Sequence, residues 1–547
     1  MQTSQGVALD FKRRASLAAN SLTLSAPKLP VTNLSMLYNE ARASRRAGAV
    51  YVTQIPVVGS MILLYNPRAT EFKYRLPISV LSLAAVFEGR YDWRIVDGNT
   101  DADAGNTILS LLERDPSIKY LLVTVMPGPQ LSHAVPHTRV VKARFQHVTT
   151  VWGGYFPSSH PEVALSDTSV DYVVRSQGEN TILALLATLE SGGSVEGIDG
   201  ISYRDSGRVK HNRARKLADP NDFPVLPYEK ADVPRYLKHT ILGSRTTSYS
   251  SSIGCPFTCS FCSVTKSYAG RWMAEKPERT IETVRYLHQR FGVNGLEFHD
   301  SNFFTAEKRV TAFAEGISGL GIGWWGEGTI DTIMRYDDRT WELMRDSGCR
   351  MIFMGAENAS ATTLKFMSKG PLTPETTLAM AEKSKRYGIV PEFSFVLGNP
   401  PDPEADIDEN IEFIYKIKQI NPASEIILYM YTPTPGGAMY DEAVKMGFKY
   451  PETLDEWLSP EWASFSRRRN PHTPWVKQEH LKKLNNFETV LNARYPTVSD
   501  LKILPWHRTV LQTLGSWRYR LRKYDNPLEL RAFFKFISYT RPEQAGL

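Results

Sequence analysis

Residues 254–263 read GCPFTCSFCS and carry three of the chain's four cysteines, Cys255, Cys259 and Cys262, in the spacing Cys-x3-Cys-x2-Cys; the fourth is Cys349. A structural zinc or a complete iron–sulfur site takes four protein ligands. Three thiolates leave one metal position open to a substrate or cofactor, and open coordination marks a reactive metal site. The alternatives are a zinc site completed by a distant histidine, or buried cysteines with no metal at all. What decides between them is where the loop sits in the fold.

Toward the C-terminus, short apolar runs alternate with helical patterns. Six strand candidates follow one another: YSSSIG (249–254), GLEFHDS (295–301), GWWGEGT (323–329), RMIFMGAEN (350–358), VPEFSFVLG (390–398) and EIILYMYTP (425–433). Helix-like segments such as PERTIETVRYLHQRF (277–291) and PETTLAMAEKSKRYG (374–388) separate them. Six strand–helix units imply a partial barrel, open on one side, with its site at the C-terminal ends of the strands. The cysteine loop directly follows the first candidate strand, at that rim. Neither a structural zinc nor unrelated core cysteines suit that position.

Toward the N-terminus a second alternation appears, with strand candidates MILLYNP (61–67), WRIVDG (93–98), YLLVTVM (120–126), VTTVWGG (148–154) and VDYVVRS (170–176). Continuous apolar strands alternating with helices indicate a parallel, doubly wound sheet, whose ligands bind beyond the carboxyl ends of the strands. Those ends carry Asn66-Pro67, Asp97-Gly98-Asn99, Met126-Pro127-Gly128, Gly153-Gly154 and Gln177-Gly178-Glu179. Their glycines let a backbone approach a ligand closely, or simply make tight turns. The fold class is therefore α/β. An N-terminal doubly wound, Rossmann-like domain (58–215) leads through a proline-spaced linker (216–248) into a central partial (β/α)6 barrel (249–440). A small C-terminal helical cap (441–547) follows, and an extension rich in Ser, Ala and Arg (1–57) precedes the whole.

At 547 residues the chain exceeds what one hydrophobic core accommodates. Its 42% apolar and 22% charged residues are those of a soluble globular protein. The longest nearly apolar stretch, LPISVLSLAAVF (76–87), is too short to span a bilayer, and no apolar signal region follows the N-terminus. So few cysteines argue against a disulfide framework and for a reducing compartment, so a cytoplasmic location is expected. The net charge of +7 gives no ground for a nucleic-acid partner, and none is expected.

The triad with an aromatic before its last cysteine, Cys255, Cys259, Phe261 and Cys262, resembles the signature of radical S-adenosylmethionine (SAM) enzymes. The resemblance implies a [4Fe–4S] cluster on the three cysteines, with SAM on the open iron and Phe261 near its adenine. It runs along the barrel. GLEFHDSNFF (295–304) resembles the family's second strand, with Asp300 and Asn302 toward SAM. CRMIFMGAENAS (349–360) resembles the fourth, with Glu357 placed to reach SAM, while FSFVLGNPP (393–401) and YMYTPTPGG (429–437) resemble the fifth and sixth. Cys349 reads as a small core residue.

A doubly wound domain ahead of such a barrel is similar to the cobalamin-binding domain of cobalamin-dependent radical SAM enzymes. VWGGYFPSSHPE (151–162) and VDYVVRSQGENT (170–181) are close to that family's pattern. The implied cobalamin contacts are Asp97, Gly98, Asn99, Met126, Gly153, Gly154, Gln177, Gly178 and Glu179. Other cobalamin domains carry Asp-x-His-x-x-Gly, whose histidine ligates cobalt. Here the matching turn, DGNTDA (97–102), has Asn99 at that place, which implies cobalamin without a histidine axial ligand.

With these cofactors the family abstracts hydrogen by a 5′-deoxyadenosyl radical and delivers methyl from methylcobalamin. The expected function is a C-methyltransferase acting at an unactivated carbon. A radical cyclase or oxidative rearrangement enzyme of the same architecture is the alternative, and a non-catalytic cobalamin sensor is opposed by the intact triad. Glu327, Tyr429 and Tyr431 are candidates for catalytic contact at the barrel rim, although the tyrosines, like Trp324 and Trp325, read equally well as packing. Expected partners are a small-molecule, natural-product or lipid-like substrate and an electron donor such as flavodoxin or ferredoxin. At the C-terminus, GSWRYRLRKY (515–524) and PLELRAFFKFISY (527–539) interleave aromatic with basic residues. Such a surface rests on anionic headgroups as a peripheral membrane contact, or simply closes the barrel's open side.

Overall fold

A computed structural model describes residues 60–70, 75–435, 438–463, 465, 471–497, 499, 501 and 503–539. The extension at 1–57 and its expected character lie outside the described residues. The N-terminal lobe is a seven-stranded sheet in the order β2-β1-β3-β4-β5-β6-β7. Strands β1 (Met61–Asn66), β2 (Asp92–Asp97), β3 (Ile118–Thr124), β4 (Thr149–Gly153) and β5 (Tyr172–Val174) are parallel. Both faces are covered, which is why these strands read as continuous apolar runs. Ile62 and Leu64 pack under helices 78–87 and 179–190, and Leu63 and Tyr65 under helices 104–114 and 129–144. Each such buried side chain contributes about 1.5–3 kcal/mol.

Two further strands, β6 (Ile201–Asp205) and β7 (Arg208–His211), add an antiparallel hairpin to the β5 edge. No strand is read there from the apolar pattern. Its sequence signal is the two-residue turn Ser206-Gly207, with both φ angles positive, at +50° and +81°. The hairpin covers an edge that would otherwise be open to pairing with another chain.

The central lobe begins with β8 (Thr246–Tyr249) and a small antiparallel ribbon of β9 (Ser252–Gly254) and β10 (Trp272–Ala274). It continues through β11 (Gly295–Phe298), β12 (Gly323–Gly328), β13 (Cys349–Glu357), β14 (Val390–Leu397) and β15 (Glu425–Met430). The six strands β8, β11, β12, β13, β14 and β15 are neighbours in that order, all parallel, and the sheet stays open between its end strands. The strand expected over 249–254 is divided. Buried Asp300 accepts hydrogen bonds from the Ser251 N–H (3.1 Å) and hydroxyl (2.9 Å) and from the Ser252 hydroxyl, pulling this segment out of the barrel ladder. The cysteine loop therefore follows β9, one step beyond the first barrel strand.

Along the barrel strands, alternate residues such as Leu296, Trp324, Ile352 and Phe393 face the surrounding helices. Glu297, Trp325, Phe353 and Glu392 stand between them and face the interior. After β15 come helices 438–445, 454–457, 478–494, 505–520 and 528–536. The last three share the barrel's outer core, with the Tyr415 hydroxyl donating to the Tyr519 carbonyl at 2.6 Å. Tyr450, Leu454, Trp457, Leu458, Trp462 and Phe465 pack instead on the N-terminal lobe, where Trp457 meets Phe156 edge-on at 5.3 Å. The segment expected as a barrel cap serves both lobes.

Candidate functional site

The cysteine loop is fixed at both ends. Gly254 has φ +78°, and a Cβ there would stand 2.1 Å from the Arg271 carbonyl oxygen, so only glycine lets β10 close against the residue before Cys255. Farther on, Ser260 donates its N–H to the Met367 carbonyl (3.0 Å) and its hydroxyl to the Phe366 carbonyl (3.0 Å). Cys259 is buried and Cys255 and Cys262 are half-buried, all as free thiols. Burial pushes the Cys259 thiol up to about 11, with the Lys369 ammonium pulling the other way. Burial also raises Cys262, against the N–H groups of Val264 and Thr265 and the same ammonium.

Among the described residues, no three Cys, His, Asp or Glu side chains close around a point as metal ligands do. Neutral thiols have no charge to draw them together, and a cationic cluster supplies that attraction while displacing their protons. The donor set nevertheless fits: three thiols within eight residues, with backbone N–H groups at one and a buried cation beside two. Cys349 is not part of it, being buried at the start of β13 in the barrel's outer core.

Beside the loop lies a pair of which the sequence singles out only one member. Lys369 donates to Glu357 Oε1 at 2.5 Å, both nearly buried, and its Nζ lies 5.9 Å from the centre of the Phe261 ring. Burial works against the Lys369 charge, but Glu357 and Cys259 more than offset it, so the ammonium persists. Gly355 makes the room: a Cβ there would fall 1.9 Å from Glu357 Oε1 and 2.6 Å from Lys369 Nζ. Glu357 has φ +62° at a shift of register between β13 and β14, an unusual conformation of the kind found at binding sites.

The other expected residues divide by what holds them. Asp300 is consumed by the 251–252 turn, and burial raises its pKa while Arg309 opposes. Asn302 is buried with neither side-chain polar atom hydrogen-bonded, a deficit that a bound polar ligand would fill. Tyr431 donates to the Met439 carbonyl (2.9 Å) and stacks on Trp475, so it packs. Glu327 faces His299 at 3.9 Å, His299 reaches Glu297 at 3.3 Å, and Arg75 from the N-terminal lobe pairs with Glu297 at 3.4 Å. Burial opposes a charge on His299, yet Glu297 and Glu327 leave its pKa above the ordinary value. The Trp325 indole donates to Glu392. Glu297, His299, Glu327 and Glu392, with Tyr429 above them, give the barrel interior a polar lining of which the sequence points out only Glu327 and Tyr429.

In the N-terminal lobe Asp97 is the hub of its turn. It accepts from Asn66 Nδ2 (2.9 Å), the Asn99 N–H (3.0 Å), Asn99 Nδ2 (2.9 Å) and the Tyr236 hydroxyl (2.8 Å). Asn99 Oδ1 accepts the Ala69 N–H at 2.8 Å, so both ends of its amide are used in building the turn. Gly98 lies against this turn, where a Cβ would meet the Arg68 nitrogen at 2.8 Å. Gln130, unmarked by any motif, accepts from the Met126 N–H (2.8 Å) and donates to Asn66 Oδ1 (3.0 Å) and the Pro67 carbonyl (2.9 Å), tying the β1 and β3 turns together. These two turns flank the point where strand order reverses, the usual ligand crevice of such sheets.

Gly153 ends β4 and Gly154, at φ +93°, lies against the Val125 backbone, where a Cβ would approach to 3.1 Å. Gln177 Oε1 accepts the Ala218 N–H (2.7 Å), Gly178 precedes the helix that Glu179 opens, and burial raises the pKa of Glu179. Met126 is 43% exposed. Small residues in the turns and an exposed thioether fit a large flat ligand lying close to this edge. The two sites adjoin: Ser176 donates to the Ser267 carbonyl (2.8 Å) and Lys266 Nζ reaches the Ser159 carbonyl (3.5 Å). Ser267 and Lys266 belong to helix 263–268, which starts right after Cys262.

Comparison with known proteins matches residues 249–414 to the radical SAM superfamily and residues 73–186 to the B12 binding domain. The chain is 28% identical over 374 residues to an uncharacterized methyltransferase of Pyrococcus horikoshii, covering 67% of this chain and 78% of that one. It is 26% identical over 239 residues to the anaerobic magnesium-protoporphyrin IX monomethyl ester cyclase of Synechocystis, covering 43% of this chain and 47% of that one, about half its length. Among solved structures its fold is similar to the radical S-adenosylmethionine methyltransferase TsrM from Kitasatospora setae, solved with cobalamin and a [4Fe–4S] cluster bound. The TM-score is 0.59 at 15% identity, covering 88% of this chain and 99% of that one. With a B12-binding lobe and a radical SAM barrel in succession, joined by hydrogen bonds from helix 263–268, the chain belongs to the cobalamin-dependent radical SAM enzymes.

Proposed function

We propose that the protein is a methyltransferase that places a methyl group on an unactivated carbon of a small molecule. One observation supports this reading above the others: the helix after the third cysteine is hydrogen-bonded to Ser159 and Ser176, in the segments that follow β4 and β5, so the cysteine loop lies next to the B12-binding lobe. When bound, SAM on the reduced cluster supplies a hydrogen-abstracting carbon radical, and cobalamin supplies a transferable methyl group. In this reading Cys255, Cys259 and Cys262 hold the cluster. Glu357 and Asn302 offer polar atoms to SAM, and Lys369 keeps Glu357 in place. Asp97, Gly98, Met126, Gly153, Gly154, Gln177, Gly178 and Glu179 border the corrin, with Asn99 bracing the turn. Glu297, His299, Glu327, Glu392 and Tyr429 bind and orient the substrate, and Trp325 and Phe353 exclude water around it.

Reconstituted enzyme incubated with methyl-labelled SAM and a cell extract tests the reading. The expected result is a labelled product heavier by one CH2 unit, formed together with 5′-deoxyadenosine. A product that has lost hydrogen and carries no label would favour the cyclase reading, which the Synechocystis relative supports. Absence of both 5′-deoxyadenosine and labelled product would support a non-catalytic cobalamin sensor.

The same reading requires an external one-electron donor, flavodoxin or ferredoxin. It also includes a peripheral contact with anionic lipid. Among the described residues, Leu504, Trp506, Trp517, Leu521, Leu528 and Phe536 are exposed on the C-terminal helices and the loops joining them, alongside exposed Arg520, Lys523 and Lys535. No helix among the described residues is long and apolar enough to cross a membrane. Exposed rings beside cations suit the headgroup layer, where each cation contributes about 1 kcal/mol.

A further inference from the structure

A groove of about 600 Å³ lies beside Pro256 of the cysteine loop, between β10 with the two residues before it and the segment leading out of the N-terminal lobe. Lys216, Leu217, Pro256, Arg271, Trp272 and Met273 line it. Pro256 directly follows Cys255, so one wall of the groove is the backbone that carries the first cysteine of the triad. Lys216 and Arg271 are exposed, and neither makes an ion pair among the described residues. Among the described residues no carboxylate lines the groove. Met273 is 37% exposed and the Trp272 indole N–H is buried without a hydrogen-bond partner. The groove therefore combines apolar side chains with two unpaired cations.

We propose that this groove is the docking site of an acidic one-electron carrier protein, which reduces the cluster from there. The inference rests on the functional reading in one respect, that the cluster must be reduced before SAM is cleaved. Electron transfer falls off steeply with distance, which favours entry beside the cluster ligands, and half-buried Cys255 adjoins the Pro256 wall. The carrier is oxidised by one electron and the cluster reduced by one; no atom changes hands. Cations beside apolar side chains draw in a partner of opposite charge and set its orientation, which shows in association rate and salt dependence.

Isothermal titration of the holoenzyme with oxidised flavodoxin, at low and at physiological salt, reads docking directly. The double variant Lys216→Glu, Arg271→Glu is expected to weaken binding on the order of tenfold at low salt and to flatten its salt dependence. Arg520→Glu with Lys523→Glu, an equal change of net charge on the C-terminal helices, is expected to leave binding as in the parent. Formation of 5′-deoxyadenosine driven by reduced flavodoxin falls in the first variant, while formation driven by titanium(III) citrate does not. Equal weakening by both variants, or no weakening by the first, overturns the docking site. A holoenzyme that cleaves SAM with neither reductant overturns the functional reading instead, and the titration still decides the docking.

Discussion

Cys349 is a control built into the chain: chemically identical to the loop cysteines, it is buried in the barrel's outer core. Alanine at Cys255, Cys259 or Cys262 is expected to abolish iron–sulfur absorbance and 5′-deoxyadenosine formation together. Cys349→Ala is expected to keep both and lose only about 1 kcal/mol of stability to a small cavity. Gly355→Ala probes the neighbouring pair, because the added methyl would overlap the place where Glu357 meets Lys369. SAM cleavage should fall while cluster content, read from iron and sulfide, stays unchanged; full activity would remove the pair from the site. Lys369→Met should cost on the order of 3–5 kcal/mol of stability in chemical denaturation, since it leaves a buried carboxylate unpaired. At Asn99, whose amide is spent on Asp97 and Ala69, electron paramagnetic resonance of bound cob(II)alamin should show no axial nitrogen splitting. A nitrogen triplet would reject it. The cysteines and Asn99 could be singled out in the sequence because local spacing marks them. Lys369 could not be, because its partner Glu357 lies twelve residues away across a turn and no motif links the two.

At the scale of the element, the parallel strands and the helices between them were legible because burial on both faces writes an unbroken apolar run. The division of 249–254 was not, because it is decided by Asp300, about fifty residues away, competing for the Ser251 and Ser252 donors. Helix 403–420 shows a further case in which chain ends meet charge. Near its C-terminus Lys418 Nζ donates to the carbonyls of Pro422 (3.1 Å) and Ser424 and lies 4.6 Å from the centre of the Tyr495 ring. Burial lowers its pKa to about 7, with Glu425 opposing. Because the folded value lies below the unfolded one, the unfolded chain holds more protons between them. Stability therefore rises with pH from about 7 toward the ordinary lysine value. Melting temperature should climb across that window in the parent and lose this component in Lys418→Met; identical pH profiles would show that Lys418 keeps its charge.

Across the whole molecule, the order of the two lobes was legible from the two alternations of strand and helix, but their interface was not. It depends on side chains such as Ser176, Tyr236 and Trp457 that no periodicity marks. The C-terminal helices carry the membrane question. Sedimentation with phosphatidylglycerol-containing vesicles should pellet the protein at low salt and less of it at physiological salt, and Trp517→Glu with Phe536→Glu should leave it in the supernatant. Equal sedimentation of parent and variant would assign those helices to closing the barrel alone. The bonds that join the lobes bear on how the enzyme is made. Tyr236 to Asp97, Ser176 to Ser267 and Arg75 to Glu297 pin the B12-binding edge against the barrel at separate places along it. These contacts are expected to slow the entry of a ligand as large as a corrinoid. Vitamin supplied during biosynthesis or refolding should fill the protein, whereas the same vitamin added to finished apoprotein should enter only as slowly as the lobes come apart.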